Sequence, residues 1–172
     1  DARGARRNAI SNIGAIVTRG LLVDVAAYHG VESLAADHVI TPDEIEAVLK
    51  SEGLSAESGD ALLFRTGWMN TWKAQPETFN KQQPGPSREA ALWAGEHEIA
   101  VMAADNSAVE SFPHPDGLVV HYEFLRNQGG YLMELLDLEQ LSADKAYEFQ
   151  FIVAPLNIDQ GLGSPITPVA VR

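Results

Sequence analysis

The sequence predicts an α/β domain built on a mixed sheet. Continuous apolar runs with β-branched content, Leu21–Val25, Ala61–Arg65 and Ile99–Ala104, read as buried strands. Helix patterns with clear start signals lie between them, at Thr41–Gly53 and Ser87–His97. Later strands, Tyr147–Val153 and Pro168–Arg172, follow with no helix between them, so the sheet is expected to mix orientations. No repeat or low-complexity tract interrupts the 172 residues, and the chain is read as one domain, 1–172.

In chain order, a first strand is expected at Ile13–Val17, broken by Gly14, with Gly20 punctuating before Leu21. Asp24 closes the next strand and is expected to cap the chain there. Residues 26–40 form a connection, and its histidines, His29 and His38, are read as surface residues without a partner at ligand spacing. Thr41 then caps a helix, with Pro42 at its first position and Glu44 completing a capping box. Ile45, Val48 and Leu49 form its apolar face, and Gly53 ends it. The strand 61–65 runs into Thr66-Gly67-Trp68. A charged residue, a hydroxyl, a glycine and an aromatic there suit either a pocket wall or a paired Arg65 with Trp68 covering the core. Asn70–Pro86 is long, polar and rich in proline, as lids and binding loops are. Ser87 caps the following helix, with Ala91, Leu92 and Ala94 facing inward and His97 at its end. Asp105-Asn106 ends an apolar strand, and His114 sits in a loop between prolines. Tyr147, Phe149, Phe151 and Val153 alternate onto one face of a strand.

A net charge of −12 disfavours nucleic acid and anionic membrane as partners. Arg3, Arg6 and Arg7 cluster at the start but form no stripe, and are read as solvated. The absence of cysteine excludes disulfides and thiolate metal sites, leaving His and carboxylate ligands that suit zinc, manganese or iron. No run reaches the ~20 apolar residues of a membrane span, and no signal peptide is visible. A cytoplasmic location is therefore expected. Phosphate-binding glycine fingerprints and the Gly-x-Ser-x-Gly elbow are also missing. The opening DARGARRNAI lacks methionine, so residue 1 is not expected to be the start of the gene product.

The chemistry is expected in Val119–Leu141. His121 opens a short helix, Gly129-Gly130 turns the chain, and Tyr131-Leu132-Met133 leads into Glu134. Such a helix-turn-strand unit can bring a histidine and a carboxylate to one point. Glu134 interrupts an apolar run. It must be paired, bound to metal or aimed into a cavity if it is buried; the alternative is a solvent-facing position on a half-exposed strand.

The blocks RGLLVDVA, ITPDEIEAVL, GDALLFRTGW, AADNSAVE, LMELLDLEQL, YEFQFIVAPL and GSPITPVAVR occur in this order. With the His121–Glu134 segment they closely resemble the C-terminal two-thirds of the cyclase family, from about Arg19 to Arg172. These are metal-dependent hydrolases related to bacterial kynurenine formamidase and isatin hydrolase. The resemblance implies a swivelling β/β/α-type fold and a homo-oligomer, dimeric or tetrameric. It also implies hydrolysis of amide or lactam C–N bonds in a small molecule by a zinc- or manganese-activated water. His121 and Glu134 would be the metal-binding and catalytic contribution of this region, with Trp68 and Asp105 near the substrate pocket. The family's His-x-Gly-Thr-His-x-Asp signature, in some members with Gln for the second His, lies ahead of the matched region. The remaining ligands are therefore expected upstream of Asp1. The rival expectation is a binding or assembly module that keeps the fold without the metal site.

Overall fold

The computed structural model describes residues 4–5 and 8–172, with the backbone alone at Lys73. The cluster Arg3, Arg6 and Arg7 lies outside the described residues. Six strands form one sheet: β1 (Ile16–Asp24), β3 (Ala61–Arg65), β5 (Val101–Ala104), β6 (Tyr131–Met133), β7 (Glu148–Val153) and β8 (Val169–Val171). Their spatial order is β6-β5-β3-β1-β7-β8. β6, β5, β3 and β1 run parallel, while β7 is antiparallel to β1 and β8 to β7. The sheet is therefore mixed, as expected. β2 (Val39–Ile40) and β4 (Gly85–Pro86) pair separately.

Helices fill the crossovers between the parallel strands. α1 (Val25–Tyr28) and α2 (Pro42–Ser51) follow β1; α3 (Met69–Ala74), α4 (Pro76–Phe79) and α5 (Arg88–Glu96) follow β3; a π-helix, His121–Gln128, follows β5. α6 (Glu139–Ala143) leads to β7. Thr41 and Ser87 cap α2 and α5 through their hydroxyls, which accept from the Glu44 and Ala90 N–H groups.

The central strands β3, β5 and the second half of β1 are buried on both faces, which explains their unbroken apolar runs. On one face Leu21, Val23, Leu62, Phe64, Met102 and Ala104 pack with Ile45, Val48 and Leu49 of α2 and Ala90, Ala91 and Ala94 of α5. On the other, Leu22, Leu63, Val101, Ala103 and Met133 pack with Phe149, Phe151 and Val153. The alternation in β7 thus buries the face expected.

Three expectations need correction. Gly20 does not divide two strands: β1 runs through it, paired with Ala61 and Phe149. A Cβ at Gly20 would collide with the Phe149 ring and lie 2.9 Å from Phe151 Cβ, so this glycine is a close-packing position rather than a break. Leu92 is exposed, and Trp93 takes the inward position, its Nε1–H donating to Glu46 Oε1 at 3.0 Å. The Asn70–Pro86 stretch is partly helical, carrying most of α3, all of α4 and then β4. Phe79 anchors it in the core while Trp72 stays exposed, with the two rings edge to face at 5.4 Å.

Candidate metal centre

Parallel strands deliver polar residues to one edge of the sheet. Asp24 and Arg65 are register partners at the ends of β1 and β3, Asp105 follows β5, and Glu134 follows β6.

Asp24 caps α1 as expected, Oδ1 accepting from the Ala27 N–H at 3.0 Å. The same oxygen accepts from Arg65 Nη1 at 3.0 Å. Arg65 also forms a two-point pair with Glu139, both contacts 2.9 Å. The buried Arg65 is thereby committed to carboxylates, the paired alternative of its two readings.

Asp105 is fully buried. It accepts from the Thr66 N–H (3.1 Å), the Thr66 hydroxyl (2.5 Å) and the Gly67 N–H (2.7 Å). Burial pushes its carboxyl up to about 6 despite these donors. Gly67 has φ 75°, and a Cβ there would strike the Glu32 carbonyl, so only glycine fits the turn that Asp105 holds. The turn fixes Trp68, which is buried with its Nε1–H donating to the Phe79 carbonyl at 3.2 Å. Asp105 and Trp68 thus form one packed unit. A surface depression lined by Arg19, Glu148 and Phe149 involves neither of them, nor His121.

His121 and Glu134 do approach each other. His121 opens the π-helix, Gly129 closes it at φ 81°, and β6 carries the chain back to Glu134. His121 Nε2 lies 3.5 Å from Glu134 Oε1. The two side chains are 26% and 37% exposed, so the pair is open to solvent.

Glu110, which the sequence did not single out, is fully buried behind His121. It accepts from the Val120 N–H at 2.8 Å and the His121 N–H at 3.3 Å, capping the start of the helix. It also lies 2.5 Å from His121 Nδ1. Hydrogen bonding to Glu110, then to Glu134, raises the His121 imidazole to about 9 against the opposing effect of burial. The buried carboxylate fixes the ring. With Nδ1–H donated to Glu110, Nε2 is the ring atom left for a proton or a metal, the arrangement that orients metal-binding histidines. Its 3.5 Å separation from Glu134 is close to the roughly 3.4 Å edge of a tetrahedral zinc site. These two donors fit a borderline divalent metal, although they make only part of a coordination shell. Glu110 stands at the end of AADNSAVE, where no periodicity marks it; a carboxylate after an apolar strand and eleven residues before His121 was its only signal.

A second cluster corrects the reading of His29 and His38 as partnerless. His29 Nε2 lies 2.5 Å from Glu44 Oε1, and His38 Nε2 lies 3.0 Å from the same oxygen. Among the described residues this is the only group of three metal-ligating side chains whose ligand atoms all lie within 4.8 Å of one another. The Thr41 cap satisfies the Glu44 N–H, while the Glu44 carboxylate turns to the histidines. His97 stacks on Trp93 at 4.2 Å, and His114 Nδ1 accepts from the Asp116 N–H.

The mixed sheet with its crossover helices, and a carboxylate-held histidine at the strand-end edge, define an α/β protein with a candidate site at that edge. The chain belongs to the cyclase family: the family model described as putative cyclase matches residues 3–111. The crystal structure of a novel cyclase is 33% identical, covering 95% of this chain and 57% of that one, with TM-score 0.86. Isatin hydrolase A from Ralstonia solanacearum is 23% identical, with coverage of 91% and 61% and TM-score 0.73. A structure described as a potential metal-dependent hydrolase with cyclase activity is 19% identical, with coverage of 89% and 64% and TM-score 0.63. The chain thus spans less than two thirds of the length of each. No curated protein matches it. Among the described residues, no helix is long and apolar enough to cross a membrane.

Proposed function

We propose that this chain is part of a metal-dependent hydrolase that cleaves amide, lactam or related cyclic C–N bonds in a small molecule. The observation that carries this reading is the Glu110–His121–Glu134 array, in which a buried carboxylate orients an imidazole toward an exposed one. His121 Nε2 and Glu134 would hold zinc or manganese. When bound, such a metal lowers the pKa of its water and polarises the scissile carbonyl. Catalytic zinc normally takes three protein ligands. In this reading the others come from the His-x-Gly-Thr-His-x-Asp segment that the family carries ahead of the matched region. Asp105 would contribute indirectly, by holding the buried Thr66–Trp68 turn near the substrate pocket of the full site. A cytoplasmic dimer or tetramer goes with the reading. Exposed Leu156, Leu162, Val169 and Val171 offer apolar surface for assembly.

The test is hydrolysis of formylated anilines, isatin-like lactams and lactones by full-length protein loaded with zinc or manganese. His121→Ala and Glu134→Gln are each expected to lower kcat/KM by about 100-fold or more. Unchanged turnover in both variants refutes their roles. No bound metal and no turnover on any of these substrates favours a binding or assembly module without the metal site instead.

A further inference from the structure

We infer that His29, His38 and Glu44 form a binding site for one divalent transition-metal ion of the zinc class, independent of His121 and Glu134. Two imidazoles and one carboxylate are a ligand set that zinc uses in open, three-ligand sites.

Each ligand is held by a different local structure. His29 ends α1, its N–H donating to the Val25 carbonyl at 3.2 Å. His38 lies in the loop before β2; its N–H donates to the Ala35 carbonyl at 3.0 Å and its carbonyl accepts from the Gly85 N–H at 3.2 Å. Glu44 sits in the first turn of α2, with its N–H on the Thr41 hydroxyl. The backbone positions are therefore set before any ion arrives, which limits the ordering cost of binding.

The three ligand atoms lie within 4.8 Å of one another, close enough to share one ion. Both Nε2 atoms converge on the same carboxylate oxygen, and the rings sit edge to face with centroids 5.2 Å apart. Charging both rings in that arrangement sets like charges side by side. A single cation satisfies both imidazoles as neutral donors and the carboxylate together. The nitrogen–oxygen separations of 2.5 and 3.0 Å are shorter than the roughly 3.4 Å edge of a tetrahedral zinc site. Admitting the ion requires His29 Nε2 and Glu44 Oε1 to spread from 2.5 Å to about 3.4 Å. Glu44 is only 14% exposed, whereas His29 is 40% exposed, so the site opens to water on the His29 side. The remaining coordination positions would be filled by water from that side. Such an ion would pin the segment after α1 to the start of α2, and the net charge of −12 favours its approach.

The experiment is calorimetric titration of zinc chloride into the metal-free full chain carrying Glu134→Gln, which removes one donor of the other pair. A zinc-binding event is expected that weakens about tenfold or more in His38→Gln and in His29→Gln. Absence of binding, or binding that neither substitution changes, overturns the site. His29 is exposed enough that its substitution leaves the core intact, so it decides the matter even if His38→Gln fails to fold. Circular dichroism on each variant establishes which proteins are folded.

Discussion

Replacing Glu110 with glutamine preserves size and removes one charge. Three donors converge on this carboxylate: the Val120 N–H, the His121 N–H and His121 Nδ1. An amide offers a single oxygen and turns its own N–H toward at least one of these donors. The loss of a buried, charge-assisted contact is expected to cost about 2–3 kcal/mol. The same change acts on His121, whose raised pKa of about 9 has Glu110 as its first cause. The rise from 6.5 to about 9 corresponds to at most about 3 kcal/mol. The share due to Glu110 is smaller, because Glu134 also contributes and the imidazole is partly exposed. The sign follows from the direction. A folded pKa above the unfolded one stabilises fully below pH 6.5, and that stabilisation is lost as pH rises through 9. Metal-free wild type should therefore lose stability between pH 6.5 and 9, and Glu110→Gln should lose much less over that range. An NMR titration of the His121 ring should move its midpoint from about 9 toward 6.5 in the variant. A midpoint that stays near 9 in Glu110→Gln, or one near 6.5 in wild type, refutes this account of the site.

Asp105→Ala should destabilise the chain by about 2 kcal/mol or more in urea denaturation, because it strips the acceptor from the buried Thr66 and Gly67 N–H groups. A cost below about 0.5 kcal/mol would show that Asp105 does not hold the Thr66–Gly67 turn. Glu52 is raised to about 8, first by burial; its Oε1 accepts from the Asp24 N–H, while its Oε2 and Asp24 Oδ2 have no partner. Its raised pKa stabilises fully below about pH 4.5 and loses that stabilisation as pH rises through 8. Glu52→Gln should therefore lie above wild type in melting temperature at pH 9, and a variant less stable than wild type there would contradict this.

Much of this fold is legible because its causes are local. Thr41 and Pro42 announce α2, the unbroken run 61–65 announces a strand covered on both faces, and alternation in 147–153 announces its buried side. Gly20 misleads because its reason is the Phe149 ring of a strand far along the chain. Glu44 misleads differently: a capping role explains it locally, so nothing in the sequence sends its carboxylate to His29 and His38. The approach of His121 to Glu134 follows from a helix, a glycine turn and a short strand, all visible in one segment. Glu110 stays hidden because a buried carboxylate is defined by what surrounds it. Its surroundings are assembled by the return of the chain at Val120 and His121.

Strands β6, β5, β3 and β1 all point the same way, so their following residues crowd one margin of the sheet while the side chains of β3, β5 and the second half of β1 remain locked between two apolar layers. This divides the labour between frame and margin. Drift within the strands is confined to residues of matching volume, because both faces are packed. Loops at the margin outside the Asp105–Gly67 turn and the Glu110–His121 contact are not held by the register of the strands. A lineage built on this frame can alter what it recognises by changing those loops, with the core left as it was.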